Sequence, residues 1–238
     1  MIGVPLNPFA QRSSGSVFGM QIHEIPELRN PVALVAFSGW NDAGDAATNM
    51  ASHLINSFID EYGDKSEAIL VSEVDPEDYY DFQVNRPNVF IDSAQIRRIT
   101  WPSTNVWAIQ APSLPFDFIV IKGVEPSLRW NQFTSELIDI CEDLEVALIV
   151  TIGSLLADTP HSRPIPVTGT GGSPKIASKL GVEVSKYEGP TGILGVIQDA
   201  CNRRGIDAVS MWAAIPHYAS AAPSPKATLA LLNALEDF

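Results

Sequence analysis

The sequence predicts a single α/β domain, with helices on both faces of a mostly parallel sheet. Three observations carry that prediction. Apolar runs of strand length alternate with longer segments of helical periodicity: Val32–Ser38, then apolar positions from Ala43 to Ile59, then Ala68–Val74. The chain is 45% hydrophobic, enough for a sizeable core. Neither an internal repeat nor a low-complexity linker divides its 238 residues.

Residues 1–30, with Pro, Gly and Ser scattered through them, are expected to form an irregular arm on the surface or on a neighbouring subunit. Val32–Ser38 reads as a buried strand. Ala43, Ala46, Ala47, Met50, Ala51, Leu54, Ile55, Phe58 and Ile59 then recur at helical spacing, and Ala68–Val74 is the next strand. Strand, helix and strand at this length predict a βαβ unit with a parallel pair and a right-handed crossover. Residues 75–105 are polar and expected to be irregular. Val106–Gln110 and Phe116–Lys122 read as two further strands. Trp130, Phe133, Leu137, Ile138 and Cys141 mark a helix face, followed by a strand at Val146–Thr151. Ile193, Val196, Ile197, Ala200 and Cys201 mark another helix, from about Gly192 to Arg204, and Asp207–Ala214 a late strand. Ser224 and Pro225 have the character of an N-cap and first helical residue. The helix they open is still running at Phe238, which leaves open whether the chain is cut short there.

A net charge of −13 argues against nucleic acid, whose affinity for proteins comes largely from cations on phosphates, and against an anionic membrane surface. No apolar run approaches the ~20 residues of a spanning helix, and the N-terminus lacks a basic start followed by an apolar core. A cytoplasmic protein is expected. Cys141 and Cys201 sit inside apolar helical patterns and read as buried, reduced thiols. The four histidines are scattered, with neither H-x-H nor H-E-x-x-H, so no metal site is expected.

Parallel strands gather their carboxyl ends on one edge, where α/β sheets bind ligands. Collected there are Trp40, Asn41 and Asp42; Asp75 and its neighbours; Lys122 and Glu125; Ser154, Asp158, His161 and Arg163; and His217 and Tyr218. In "SGWNDAGDAA" (38–47), Asp42 is placed as N-cap and Asp45 as N3 of a helix, close to a capping box. Capping accounts for both aspartates. It leaves Trp40 and Asn41 at a strand tip unexplained, and also Gly44, whose place in a first helical turn is costly unless something approaches the backbone closely. In "ADTPHSRP", Asp158 and His161 with Ser154 can be drawn as a Ser–His–Asp set, but no G-x-S-x-G elbow is present. "TGTGGSP" (168–174) and "EGPTGILG" (188–195) precede helices, where free N–H groups attract anions; Ser173 and Pro174 read as N-cap and N1.

Four stretches taken together, "GWNDAGDAA" (39–47), "DPEDYYDFQVNRP" (75–87), "GSLLADTPHSRPIPVTGT" (153–170) and "YEGPTGILGVIQDAC" (187–201), closely resemble the actinobacterial branch of the proteasome-assembly-chaperone-2 family, over roughly residues 20–238. The resemblance implies a three-layer α/β/α sandwich with a mixed sheet, similar to purine nucleoside phosphorylases and related hydrolases. It implies homo-oligomers, a trimer being the first expectation, protein clients such as proteasome subunits, and no cofactor. A phosphorylase-like phosphate site is not expected, because the corresponding loop carries Asp42 and Asp45. A carboxylate 4 Å from a phosphate costs about 4 kcal/mol at an effective dielectric of 20, and only Arg86 and Arg163 are at hand to offset it.

Two classes of function compete. In an interaction protein, Tyr79, Tyr80, Phe82 and Arg86 have the composition of an interface hot spot. In a hydrolase or transferase acting on a nucleoside-like compound, or a sensor binding one, Asp42 or Asp45 is the base, with His161 a further catalytic candidate. Trp40 then stacks on a ring, and Asn41, Gly44, Asp75, Arg86, Ser154 and Arg163 surround the ligand.

Overall fold

The computed structural model describes residues 16–17, 19–59 and 68–236. Twelve strands are present among them: β1 (Ser16–Val17), β2 (Met20–Ile22), β3 (Val32–Ser38), β4 (Ala68–Val74), β5 (Asn88–Ile91), β6 (Arg97–Thr100), β7 (Thr104–Ile109), β8 (Phe118–Val124), β9 (Leu148–Ala157), β10 (Val167–Gly171), β11 (Glu183–Val184) and β12 (Ala208–Pro216). The α-helices are α1 (Ala46–Phe58), α2 (Pro76–Tyr79), α3 (Trp130–Asp143), α4 (Pro174–Leu180), α5 (Ile193–Arg204) and α6 (Pro225–Glu236).

Ten strands form one mixed sheet in the order β1-β2-β4-β7-β8-β3-β9-β12-β10-β11. Its centre, β8-β3-β9-β12, is parallel, and antiparallel strands flank it. In the central strand β3, Ala33, Val35 and Phe37 face one side, and Leu34 and Ala36 the other; all five are buried. Phe133 and Leu137 of α3 and Ile193 and Ile197 of α5 cover the first side. Met50 and Ile55 of α1 and Ala227 and Leu231 of α6 cover the second. The result is the three-layer sandwich.

Several elements differ from expectation. β3 and β4 point the same way but are not a pair: β8 and β7 stand between them, so the α1 crossover skips two strands. Part of the N-terminal arm is ordered sheet, since β2 pairs antiparallel with β4; residues 1–15 lie outside the described residues. The glycine-rich stretch 168–171 belongs to β10, an antiparallel partner of β12, and only Ser173–Pro174 acts as the expected cap, for α4. β9 runs six residues past Thr151, because β12 continues beside it to Pro216; Ser154 is therefore a strand residue. Segment 75–105 holds α2 and a separate two-stranded hairpin, β5–β6. Residues 237–238, the end of the expected C-terminal helix, lie outside the described residues.

Candidate functional site

The strand directions bring the carboxyl ends of β3, β4, β8, β9 and β12 to one edge. At its centre the turn after β3 buries two polar residues, Asn41 (1% exposed) and Asp42 (4%). Asp42 Oδ1 accepts from Ala47 N (2.7 Å) and Ser154 Oγ (3.1 Å); its Oδ2 accepts from Thr48 N (3.2 Å) and Thr48 Oγ1 (2.5 Å). Ser154 Oγ also lies 2.8 Å from the Ala43 carbonyl oxygen, and its N–H donates to the Asn41 carbonyl (2.9 Å). These bonds offset the cost of burying the carboxylate.

Asp42 thus caps α1, but across five and six residues rather than two or three, because a 3₁₀ turn (Ala43–Asp45) intervenes. Asp45 is exposed, in the left-handed region (φ 51°), and its side chain makes no capping bond. The expected capping box is therefore absent and Asp42 does all of the capping. Gly44 has φ 60°, and a Cβ there would come within 2.9 Å of Ser224 Cβ; its carbonyl accepts from Ser224 N (2.8 Å). What approaches its backbone is the start of α6.

Asn41 joins a second network. Its Nδ2 donates to Glu125 Oε1 (2.7 Å), which also accepts from Ile193 N (2.8 Å), the first residue of α5. The anion at this helix N-terminus is the protein's own carboxylate. Gly192 is where this network leaves no room: a Cβ would lie 2.6 Å from Glu125 Oε1 and overlap the Asn41 amide. Half-buried Lys122 on β8 also belongs to the edge: burial pushes its ammonium below the ordinary lysine value, against the pull of Asp42. The sequence gathers Lys122 and Glu125 at this edge and Gly192 in the glycine-rich stretch 188–195, but gives none of the three a ligand or catalytic role. A glutamate just past one strand and a glycine just before a helix were the available signals, and only the tertiary fold brings them together.

The other sequence-derived candidates separate. Ser154 bonds to Asp42 and Ala43, not to His161; exposed His161 instead meets the Tyr218 hydroxyl through its backbone N–H (2.8 Å) and Nδ1 (3.2 Å), so no triad forms. Asp75 is the N-cap of α2, accepting from Glu77 N (3.0 Å). Arg86 and Arg163 are exposed and make no ion pair among the described residues, so neither offsets Asp42. Tyr79 and Tyr80 are core residues, which corrects their reading as surface hot-spot residues. Tyr79 is 0% exposed, packs edge-on against Phe133 and donates to Glu136 Oε2 (2.6 Å); Tyr80 Oη bonds with Thr104 and donates to the Val124 carbonyl. Burial raises both phenols well above the ordinary tyrosine range, and the Glu136 carboxylate raises Tyr79 further. Phe82 is half-buried against Trp101, with ring centroids 4.9 Å apart.

The edge also exposes apolar groups. Trp40 is 65% exposed, Leu156 52% and Tyr218 56%; Leu155, on the opposite face of β9 from Leu156, is exposed too. The β5–β6 hairpin, which projects between α2 and β7, exposes Val89, Phe90, Ile91, Ile96 and Ile99. Cys141 and Cys201 are free and buried; burial pushes the Cys201 thiol up to about 12 and Cys141 higher still. Among the described residues, no three His, Cys, Asp or Glu are grouped to hold a metal ion, and no helix is long and apolar enough to cross a membrane.

Comparison with known proteins places this geometry in a family. The PAC2 family model matches residues 36–238. A PAC2 family protein from Streptomyces avermitilis is 48% identical, with a TM-score of 0.79 over 87% of this chain and 85% of that one. A proteasome-assembly chaperone homologue from Mycobacterium tuberculosis is 45% identical, with a TM-score of 0.76 over 87% and 84%. The archaeal proteasome activator PbaB from Pyrococcus furiosus shares the fold at 16% identity, with a TM-score of 0.68 over 92% and 87%. No curated protein matches. With its family model matching everything from residue 36 on, which takes in the strand edge and every helix described, the chain belongs to the PAC2 family.

Proposed function

We propose that this protein is a non-enzymatic, homo-oligomeric assembly factor that acts in the cytoplasm by binding other proteins, proteasome components foremost. One observation carries the reading. At the strand edge the buried polar groups Asn41 and Asp42 are engaged inside the fold, while large apolar side chains face water. Asp42 accepts four hydrogen bonds, and Asn41 and Glu125 hold the start of α5. Trp40, Leu156, Tyr218 and the hairpin stay exposed. Contiguous exposed apolar surface marks sites of protein association. Family membership and the proteasome-assembly chaperone homologue at 45% identity support proteasome components as the partners. The two free, buried thiols accord with a reducing compartment.

The test is binding of the purified chain to purified proteasome α- and β-subunits of the same organism, followed by native mass spectrometry. A defined complex is expected, weakened by Trp40→Ala with the fold intact. No complex at tens of micromolar, together with a thermal shift by a nucleoside or sugar phosphate that Trp40→Ala abolishes, would overturn the reading in favour of a small-molecule site. A ligand at 100 times its Kd would raise Tm by roughly 5–11 °C in a domain of this size.

A further inference from the structure

The β5–β6 hairpin violates the burial rule more than any other segment described. All eight of its strand residues are exposed, and among the described residues the hairpin pairs with no other strand. Its register sorts the side chains onto two faces. Val89 lies opposite Ile99 and Ile91 opposite Arg97, so one face is an apolar stripe with a guanidinium at its tip. The other face carries Phe90 opposite Arg98, and Arg98 is held by Asp92 (3.0 Å). Arg97 and nearby Arg86 have no ion-pair partner among the described residues. The base is anchored: Trp101 packs at a tilt against Phe82 and Ser103 donates to the Val74 carbonyl. A short hairpin alone is marginal in water, and the apolar stripe of this one, Val89, Ile91 and Ile99, is exposed along its whole length.

The same molecular edge carries a surface of matching chemistry. Trp40, Leu156 and Tyr218 are exposed around the ends of β3, β9 and β12; Leu155, next to Leu156 on a regularly paired strand, points to the opposite face. Asp45 and Asp158 flank the first three, both exposed and without an ion-pair partner among the described residues, with Arg163 the nearby cation. The hairpin leaves the sheet between β4 and β7, and the patch lies beyond β8, so the two surfaces are set side by side along one edge.

We propose that the β5–β6 hairpin of one copy docks its Val89–Ile91–Ile99 face on the exposed Trp40, Leu156 and Tyr218 side chains of a second copy, with Arg97 against Asp45 and Asp158. An apolar stripe ending in an unpaired cation meets an apolar patch rimmed by unpaired anions, within a chain of net charge −13. A contact between two different surfaces of one chain is heterologous, and such contacts close into rings when the rotation permits. The second copy then covers the strand edge, so each edge site is built from two chains. The inference rests on the homo-oligomer part of the reading above and names its surfaces.

Sedimentation velocity and cross-linking test it. The wild-type chain is expected to associate. The triple variant Val89→Ser, Ile91→Ser, Ile99→Ser is expected to sediment as a monomer with unchanged far-UV circular dichroism. Arg97→Asp is expected to weaken association about tenfold or more, and adding Asp158→Arg to restore part of it, a rescue that a merely misfolded variant cannot show. In a mixture of Ile91→Cys and Leu156→Cys chains, a short bis-maleimide is expected to link one of each, with Cys141 and Cys201 buried and silent. Linkage of Ile91→Cys chains to one another, in place of mixed pairs, would overturn the docking. An oligomer that survives the triple variant would overturn the docking alone. A wild-type chain monomeric at every concentration would overturn the homo-oligomer reading as well.

Discussion

The turn at 38–48 and the hairpin at 88–100 lie on the same edge of the sheet and treat their side chains in opposite ways. The turn has the composition of an active site and hides it: Asn41 and Asp42 are buried, and Asp42 is saturated by donors from α1 and β9. The hairpin has the composition of a core and displays it, since no layer of the sandwich covers it. A charged residue can be buried when enough donors converge on it, and an apolar face can be left wet when a partner is to cover it. The difference teaches that residue type at a strand tip does not mark a site. What marks one is a group whose physical requirement the chain itself leaves unmet.

The sharpest way to break this contrast is to remove the buried carboxylate. Asp42→Ala would leave the Ala47 and Thr48 amides and the Thr48 hydroxyl without their acceptor, Ser154 keeping the Ala43 carbonyl, and open a cavity beneath α1. Losing one side of a buried charged network costs about 3–5 kcal/mol, which is a fall of roughly 6–20 °C in Tm for a domain of this size. Thermal denaturation followed by circular dichroism reads it directly. An Asp42→Ala chain that melts with the wild type would mean the carboxylate is not a structural cap, and would return it to the list of catalytic bases.

Gly192→Ala probes the neighbouring network more gently. A methyl there meets Glu125 Oε1 at 2.6 Å and the Asn41 amide, both fixed by mutual bonds, so overpacking of about 1–3 kcal/mol is expected. Chemical denaturation should show a lower midpoint with an unchanged slope. Tolerance would mean that Glu125 can leave the α5 N-terminus freely, and that this helix end is available to an external anion.

How much of this was legible beforehand follows from the range of each interaction. The central strands and the large helices were readable because burial on both faces or on one stripe leaves a local pattern: β3 and α1 fall close to their expected bounds. The end of β9 was not, because residues after Thr151 look like a polar loop and extend only because β12 runs beside them. Nor was the separation of β3 from β4, since periodicity says nothing about which strand inserts between two others. At the site, the capping role of Asp42 was visible and its reach was not, for the 3₁₀ turn that lengthens it depends on Gly44 meeting Ser224. Tyr79 and Tyr80 were misread because two tyrosines among aspartates look wet; only Glu136 and Thr104, from distant segments, let their hydroxyls be buried.

Tyr79→Phe sharpens that last point with a smaller effect. The ring keeps its packing on Phe133 and the Glu136 bond is lost, for about 1–2 kcal/mol, hydrogen bonds to charged groups lying above the usual range. Binding of a protein partner, corrected for folded fraction, should not change. The phenol has a pH signature as well. Its folded value is raised above the unfolded one near 10, so its contribution to stability is complete below that pH and is lost as pH rises beyond it. In an alkaline titration followed by phenolate absorbance, Tyr79→Phe should remove no step that precedes unfolding. A step lost below pH ~10 would place the hydroxyl in water and revive it as an interface residue.

The smallest expected effect on stability is the most telling of the set. Ile91 is 66% exposed at the tip of the hairpin, so Ile91→Ser removes little buried area from the single chain and should move its stability by no more than about 0.5 kcal/mol. The measurement belongs at a concentration where the chain is monomeric, because dissociation of an oligomer would otherwise lower Tm by mass action. At higher concentration the same substitution should weaken association and lower the concentration dependence of Tm. That pairing, silence in the monomer and a signal in the assembly, is the inverse of what Asp42→Ala should give, since a cap acts within its own chain. A loss of monomer stability on Ile91→Ser would show that the hairpin packs on its own chain, and would put both halves of the edge under one structural explanation.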